Sequence, residues 1–287
     1  MSLTSKVKMV VLSDNLKAQQ RELEKLSRIR LSNLADAARV ADDFLIDAGH
    51  DGETFVSALK LLRERCREEK SIFSENQVFE TLRLDDQYVF TSLLAKRLYS
   101  RLPELLYCLL PVVNSRGRVS FVPNNITEEC LLHIKGTFLI ESLLYASDFK
   151  DAAMKVATGE ADFCLLPYAE NDYFPIHSIF DITMKADLLL IGKIKTDCVT
   201  YGIYAKGLPC KIAKTLAFQY ALPLQVPIPM NMESQAVERF AFRYANQLLR
   251  VDTWAEEDLP AIITGLLYFQ LFAPDVKITG CAQTFQI

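Results

Sequence analysis

Histidine and tryptophan are scarce in this 287-residue chain, which contains three and one of them, respectively. The seven cysteines form no Cys-x-x-Cys pair, and with so few histidines we expect no metal site. Nothing in the sequence indicates a cofactor. Most of the cysteines lie in apolar runs, which is typical of buried thiols in a reducing compartment.

The start of the chain also lacks a long apolar segment. Its first apolar run, MVVL at 9–12, is too short for a signal peptide or a membrane span. The net charge of −4 and the pI near 5.6 argue against a nucleic-acid-binding surface. We therefore expect a cytoplasmic protein of two or three domains that binds neither a membrane nor a nucleic acid.

The first third of the chain has almost no glycine or proline, and its apolar residues recur at helical spacing. We predict a long helix from Asp14 to the GHDG turn at 49–52, then helices over about 53–70 and 74–83. A last helix is predicted to begin at the LDD stretch at 84–86 and to end near residue 110. Residues 1–113 are therefore predicted to form an all-α helical bundle.

A linker is predicted at 114–118, where the sequence reads NSRGR, and short strands and helices alternate after it. We predict strands in VSFV, TFLIESLLYA, FCLLPY and DLLLIGKI, and helices in ITEECLLHI, DFKDAAMKVATG and PIHSIFDITMKA. Asp148 is expected to begin the second of these helices and Gly159 to end it. Residues 118–196 are thus predicted to form a small, mostly parallel α/β lobe.

The stretch EADFCLLPYAEND at 160–172 leads a buried strand directly into Glu170, Asn171 and Asp172. Ligands of open α/β sheets bind at the carboxyl ends of strands, so these residues are candidates for substrate binding. The alternative is a polar loop that only caps the strand.

The last part of the chain, 197–287, alternates in the order βαββαβ that is typical of a ferredoxin-like fold. The predicted strands are CVTYGIYAKG, LQVPIPM, AVERFAFRYA and DVKITGCAQTF, and the predicted helices are CKIAKTLAFQYA and EEDLPAIITGLLYFQLFA. The whole chain is therefore predicted to be an α+β multidomain protein.

This order resembles the bifunctional chorismate mutase–prephenate dehydratase family, whose last part is an ACT regulatory domain. DFKDAAMKVATGEADFCLLPYAEN is similar to a family stretch that ends in Pro-Glu-Asn, and SIFDITMKADLLLIGKI to the helix and strand that follow it. GLPCKIAKTLAFQYA, RFAFRYA and VKITGCA are similar to stretches of the family's tail. The resemblance spans most of residues 74–285 and implies a periplasmic-binding-like dehydratase lobe and an ACT-like tail.

Several family features are missing from the sequence. The family's Gly-Pro-x-Gly-Thr-Phe turn is VPNNIT here, and Asp172 replaces a serine. The family's second lobe carries a Thr-Arg-Phe motif with the catalytic threonine. No counterpart of that lobe fits between Ile194 and Val199, so the dehydratase activity is not expected to be retained.

The mutase rearrangement needs a pocket that holds a dicarboxylate and stabilises charge on the ether oxygen, and arginines suit the carboxylates. The resemblance assigns this chemistry to five candidate catalytic residues, Arg28, Arg39, Glu75, Ser100 and Glu104. Arg21 is the nearest candidate for a further substrate-binding arginine, and Ser74 stands where the family has another. The alternative for the arginines is a solvated helix face.

The tail's resemblance to an ACT domain implies an amino-acid effector, with Gly207, Leu208, Glu233 and Ser234 as candidate contacts. The domain and the apolar stripe of residues 16–45 also favour a homodimer. Two functions stay open: an enzyme of phenylalanine biosynthesis that converts chorismate to prephenate, or a non-catalytic homologue. The homologue would bind a small acidic metabolite or a partner enzyme and regulate it.

Overall fold

The computed structural model describes residues 21, 57–62, 64, 77–97, 109–135, 138–170, 175–209, 216–226, 228–233, 236–245, 247–256, 259–273 and 275–286. The helices are α1 (Gln77–Arg97), α2 (Asn125–Ile134), α3 (Phe149–Thr158), α4 (His177–Lys185), α5 (Met230–Glu233) and α6 (Leu259–Phe272). The strands are β1 (Val112–Val113), β2 (Arg116–Phe121), β3 (Leu139–Tyr145), β4 (Phe163–Glu170), β5 (Leu189–Lys195), β6 (Val199–Ala205), β7 (Leu208–Pro209), β8 (Leu216–Pro223), β9 (Ala236–Tyr244), β10 (Gln247–Glu256) and β11 (Lys277–Gln286). Residues 57–62 are also helical.

Nine strands in the described part of the chain form one mixed sheet, in the order β3-β2-β4-β6-β5-β11-β8-β10-β9. The β3-β2-β4 end is parallel, as predicted. Strand β6 is antiparallel to β4 and β5, whereas β5 is parallel to β11. The last four strands pair only antiparallel with one another. The chain is therefore a mixed α/β protein built on one large sheet.

The helix ends in the α/β lobe follow from their capping residues. The Asp148 carboxylate accepts a hydrogen bond from the Asp151 N–H at 2.7 Å, which satisfies one donor at the start of α3. Gly159 ends that helix at a φ of 83°, a left-handed conformation that glycine adopts without strain. At the start of α2, Asn124 and Thr127 exchange hydrogen bonds in a capping box. The predicted positions of α2 and α3 are thus confirmed.

Helices cover both faces of the sheet. Residues of α1, α2 and α6 pack in one apolar cluster on one face, where Phe90 of α1 meets Phe272 of α6 at a ring distance of 6.2 Å. Helices α3 and α4 pack on the other face, where Phe180 of α4 contacts Phe240 and Phe242 of β9. None of the helices in the described residues is long and apolar enough to cross a membrane.

The face under α3 and α4 is concave. Three strands separate β4 from β8, a spacing of about 19 Å across a flat sheet at about 4.8 Å per strand. Nevertheless, the Tyr168 hydroxyl on β4 lies 2.9 Å from the Gln219 amide on β8. Register shifts in β4, β5 and β11 accompany this curl, as β-bulges do elsewhere. We refer to this side of the sheet as the concave face.

The tail differs from its prediction at three elements. The predicted helix CKIAKTLAFQYA is wrong, because its second half forms most of β8. The predicted strand LQVPIPM is also wrong, because residues 224–225 form a turn and Met230 begins the one-turn helix α5. Strand β10 was not predicted. Tertiary pairing decides the first case, since β8 lies between β10 and β11. The described elements β8, α5, β9, β10, α6 and β11 still follow one another as βαββαβ, one strand later than predicted.

The helical region is described only in part, and a bundle over residues 1–113 stays a prediction. Helix α1 is continuous through residues 84–86, so the predicted helix start there is wrong. An aspartate inside a helix lowers the helix's stability by only a fraction of a kcal/mol, which is too little to end a helix without glycine or proline. The predicted domain limits 118–196 and 197–287 also stay predictions. One sheet contains strands of both ranges, and β6, from the second range, lies between β4 and β5 of the first.

Candidate functional site

Most of the predicted catalytic and substrate-binding residues lie outside the described residues. This holds for Arg28, Arg39, Glu75, Ser100, Glu104, Asn171 and Asp172. Arg21 is helical and exposed. Strand β4 does end at Glu170, which is exposed, so the predicted acidic cluster follows directly on the carboxyl end of a buried strand.

The predicted effector residues lie in two separate places. Gly207 and Leu208 are buried, and the Leu208 N–H donates to the Pro111 carbonyl at 2.6 Å within the short parallel pair β1–β7. A Cβ at Gly207 would lie 2.3 Å from the same oxygen, so this close approach needs glycine. Glu233 is the last residue of α5, and Ser234 lies outside the described residues.

A buried lysine is the main charge in the polar cluster that we describe on the concave face. Lys193 of β5 is 8% exposed, and its Nζ atom lies 4.2 Å from the centroid of the Tyr168 ring. Lysine is rarely buried to this extent in proteins, and a desolvated cation over an aromatic ring gains about 2 kcal/mol. Strands β4 and β5 run in the same direction, because each is antiparallel to β6. Tyr168 and Lys193 both lie in the second half of their strands, near the carboxyl ends.

Gln219 of β8 fixes the position of the tyrosine. Its Nε2 atom donates to the Tyr168 hydroxyl at 2.9 Å and lies 3.4 Å from the Thr253 hydroxyl, and its Oε1 atom accepts from Thr279 at 3.2 Å. All four residues are buried. A buried hydrogen-bond network in which the central side chain has three partners holds its members in one arrangement. The Tyr168 ring therefore presents a fixed surface to the Lys193 ammonium group.

A second polar contact lies near the carboxyl ends of β4 and β5, on the face of the sheet that α1, α2 and α6 cover. Tyr201, near the start of β6, is buried and hydrogen-bonded to Asn124, the N-cap of α2. Burial raises the pKa of the Tyr201 hydroxyl, and the hydrogen bond from Asn124 partly offsets that rise. Tyr201 therefore stays protonated at neutral pH and can donate a hydrogen bond.

The thiols in the described residues are not arranged for catalysis or metal binding. Burial raises the pKa of Cys130 to about 11 and that of Cys281 to about 12, so both remain uncharged thiols at neutral pH. Cys198 is exposed. In the same part of the chain, no three His, Cys, Asp or Glu side chains are placed to hold a metal ion.

Sequence reasoning missed Lys193, Tyr168 and Gln219. The signal that was available is a single polar residue inside an apolar strand: the lysine in DLLLIGKI and the glutamine in LAFQYAL. In a half-buried strand such a residue faces solvent, but β5 and β8 are covered on both faces and have neighbours on both sides. A lone polar residue in a strand of this kind must find partners inside the protein.

No protein-family model matches the chain, and no curated protein matches it either. Solved structures that are similar to it include a prephenate dehydratase from Streptococcus mutans, at 11% identity and a TM-score of 0.46, covering 60% of this chain and 100% of that one. A second, described as GqqA, "a novel type of quorum quenching acylases", has 12% identity and a TM-score of 0.41, and covers 57% of this chain and 94% of that one. A third, the prephenate dehydratase from Arthrobacter aurescens in complex with L-Phe, has 11% identity, a TM-score of 0.41 and coverage of 57% and 89%. These likenesses are distant and assign no activity to this chain.

Proposed function

We propose that the chain binds a small acidic metabolite of the chorismate or prephenate class on the concave face, with Lys193 contacting its carboxylate. The observation that supports this function is the buried Lys193 ammonium over the Tyr168 ring. A cation–π contact stabilises a lysine ammonium group against the face of the ring. The Lys193 side chain is thereby held close to the strand ends where α/β sheets bind ligands.

The strength of this interaction follows from its burial. Two opposite unit charges about 4 Å apart attract by about 4 kcal/mol at an effective dielectric constant near 20. Desolvation of the carboxylate opposes this gain, so we expect a net contribution of about 1.5–3 kcal/mol, or roughly tenfold to a hundredfold in affinity. The network of Gln219 and Tyr168 adds to this because the site does not need to be ordered on binding.

The experiment is a calorimetric titration of the purified full chain with prephenate and with chorismate. We expect at least one of them to bind, and Lys193→Met to weaken that binding at least tenfold. Lys135→Met is the matched control, since Lys135 is exposed just after α2, and should leave the affinity unchanged. Binding that survives the Lys193 substitution would refute the assignment of the site.

Catalysis is a separate part of the proposal. Prephenate incubated with the protein should give no phenylpyruvate above the spontaneous rate, because the sequence has no Thr-Arg-Phe motif. Rearrangement of chorismate by the helical region stays a prediction from the sequence, since its five candidate residues lie outside the described part of the chain. Arg28→Ala and Arg39→Ala test it, because each should lower chorismate turnover at least tenfold if the pocket is active.

The regulatory features of the family are proposals of the same kind. A homodimer is expected from the ACT-like tail and the apolar stripe of residues 16–45, and sedimentation at micromolar concentration tests it. An amino-acid effector contacting Gly207, Leu208, Glu233 or Ser234 is tested by titration with phenylalanine. A monomeric mass would refute the first proposal, and absence of binding would refute the second.

A further inference from the structure

A cavity of about 290 Å³ lies at the other end of β5 from Lys193, where β5 and β11 begin and β6 ends. Its floor is apolar and includes Leu110, Leu189, Phe269 and Ile278. For comparison, an engineered apolar cavity of about 150 Å³ binds benzene, which has six non-hydrogen atoms. The cavity thus has room for a ligand of about ten non-hydrogen atoms with an apolar body.

Three charged residues line the same cavity: Asp187, Lys206 and Lys277. The Lys277 Nζ atom lies 2.6 Å from an Asp187 carboxylate oxygen and also donates to the Met184 carbonyl at 3.4 Å. Lys206 is exposed and makes no ion pair or hydrogen bond within the described part of the chain. Two positive charges and one negative charge leave a net charge of +1, which one carboxylate would neutralise.

The Asp187–Lys277 pair leaves Lys277 open to competition. The Asp187 side chain is 85% exposed, and ion pairs between exposed groups contribute little to stability. A ligand carboxylate can therefore bind both lysines at a small cost, while its apolar part covers Phe269 and Leu189. We propose that this cavity binds a small amphipathic monocarboxylate, at a site separate from the one on the concave face.

Calorimetry with 3-phenylpropionate, its neutral amide 3-phenylpropionamide, and propionate tests the proposal. The acid has eleven non-hydrogen atoms, roughly the number that the cavity admits. We expect it to bind at least about tenfold more tightly than the amide, which lacks the charge, and than propionate, which lacks the apolar body. Failure of the acid to bind, or equal affinity for acid and amide, would overturn the proposal.

Two variants locate the site. Lys206→Met should weaken binding of the acid about tenfold, whereas Lys150→Met, which changes an exposed lysine on α3, should not change it. An affinity unchanged in Lys206→Met, or an equal loss in Lys150→Met, would overturn the assignment.

Asp187→Asn decides what kind of ligand the cavity prefers. Asp187 has a φ of 54°, and asparagine tolerates this left-handed conformation, so the backbone should be retained. The substitution removes a negative charge next to the ligand and releases Lys277, so the acid should bind about threefold or more tightly. Weaker binding would show that Asp187 contacts a cationic group of the ligand, and would overturn the assignment of a plain carboxylate.

Discussion

Asp252 is the buried residue whose replacement should destabilise the fold most clearly. Its carboxylate on β10 is fully buried and accepts hydrogen bonds from the Tyr220 hydroxyl at 3.1 Å and from Arg239 at 3.0 and 3.3 Å. The Arg250 Nε atom lies 3.3 Å from the same group, and the Arg250 side chain is only 15% exposed. The Asp252 carboxylate therefore lies in contact with two guanidinium groups.

Asp252→Ala removes this carboxylate from all three partners. Removing one member of a buried ion pair costs about 3–5 kcal/mol, because the remaining charge stays buried. By comparison, Arg239→Met should cost about 1 kcal/mol or less, since 43% of the Arg239 side chain is exposed and solvent screens it. Tyr220→Phe removes one hydrogen bond from a group that stays buried, for about 1–1.5 kcal/mol.

Urea unfolding measures these differences. The sequence contains one tryptophan, Trp254, so unfolding can be followed through a single fluorophore. With an m-value of about 3 kcal/mol/M, the midpoint of Asp252→Ala should fall by about 1–1.7 M. A loss below 1 kcal/mol, or a loss in Arg239→Met as large as that in Asp252→Ala, would refute this account.

Three further predictions concern the backbone and the thiols. Gly207→Ala should lower the free energy of unfolding by at least about 2 kcal/mol and separate β7 from β1, because the alanine Cβ would clash with the Pro111 carbonyl. Faster hydrogen exchange of the β7 amides would show this separation. Asp148→Ala should cost about 1 kcal/mol in urea unfolding by removing the N-cap of α3, and Asp148→Asn should restore most of it. Among the cysteines that the structure describes, Cys198 alone should react with iodoacetamide at pH 8 in the native state, as peptide mass spectrometry would show.

The α/β lobe could be predicted from local sequence because its signals agree with one another. Asp148 and Gly159 mark the two ends of α3, and β4 is an unbroken apolar run between polar residues. The capping residues, the helical spacing and the strand run all favour the same structure. Elements of this kind need no knowledge of the rest of the chain.

The tail could not be predicted in the same way, because pairing across the sheet decides its structure. Phe218, Tyr220 and Leu222 of β8 all face the same side of the sheet, as alternate residues of a strand do. The same sequence is also compatible with a helix. Strand β10 contains Arg250 and Asp252, two charges that argue against a buried strand when they are read alone. They are accommodated because Asp252 pairs with Arg250 on its own strand and with Arg239 on the neighbouring strand.

Charged residues inside the strands of this sheet therefore serve different purposes according to their position. Asp252 contacts two arginines of its own sheet, one on β9 and one on β10, so its charge holds these strands together. Lys193 lies with its Nζ atom 4.2 Å from the centroid of the Tyr168 ring, near the carboxyl ends of β4 and β5, where α/β sheets bind ligands. A buried charged residue at such a position is a candidate for ligand binding. This difference in position is why we place the acidic metabolite at Lys193 and assign Asp252 to the stability of the fold.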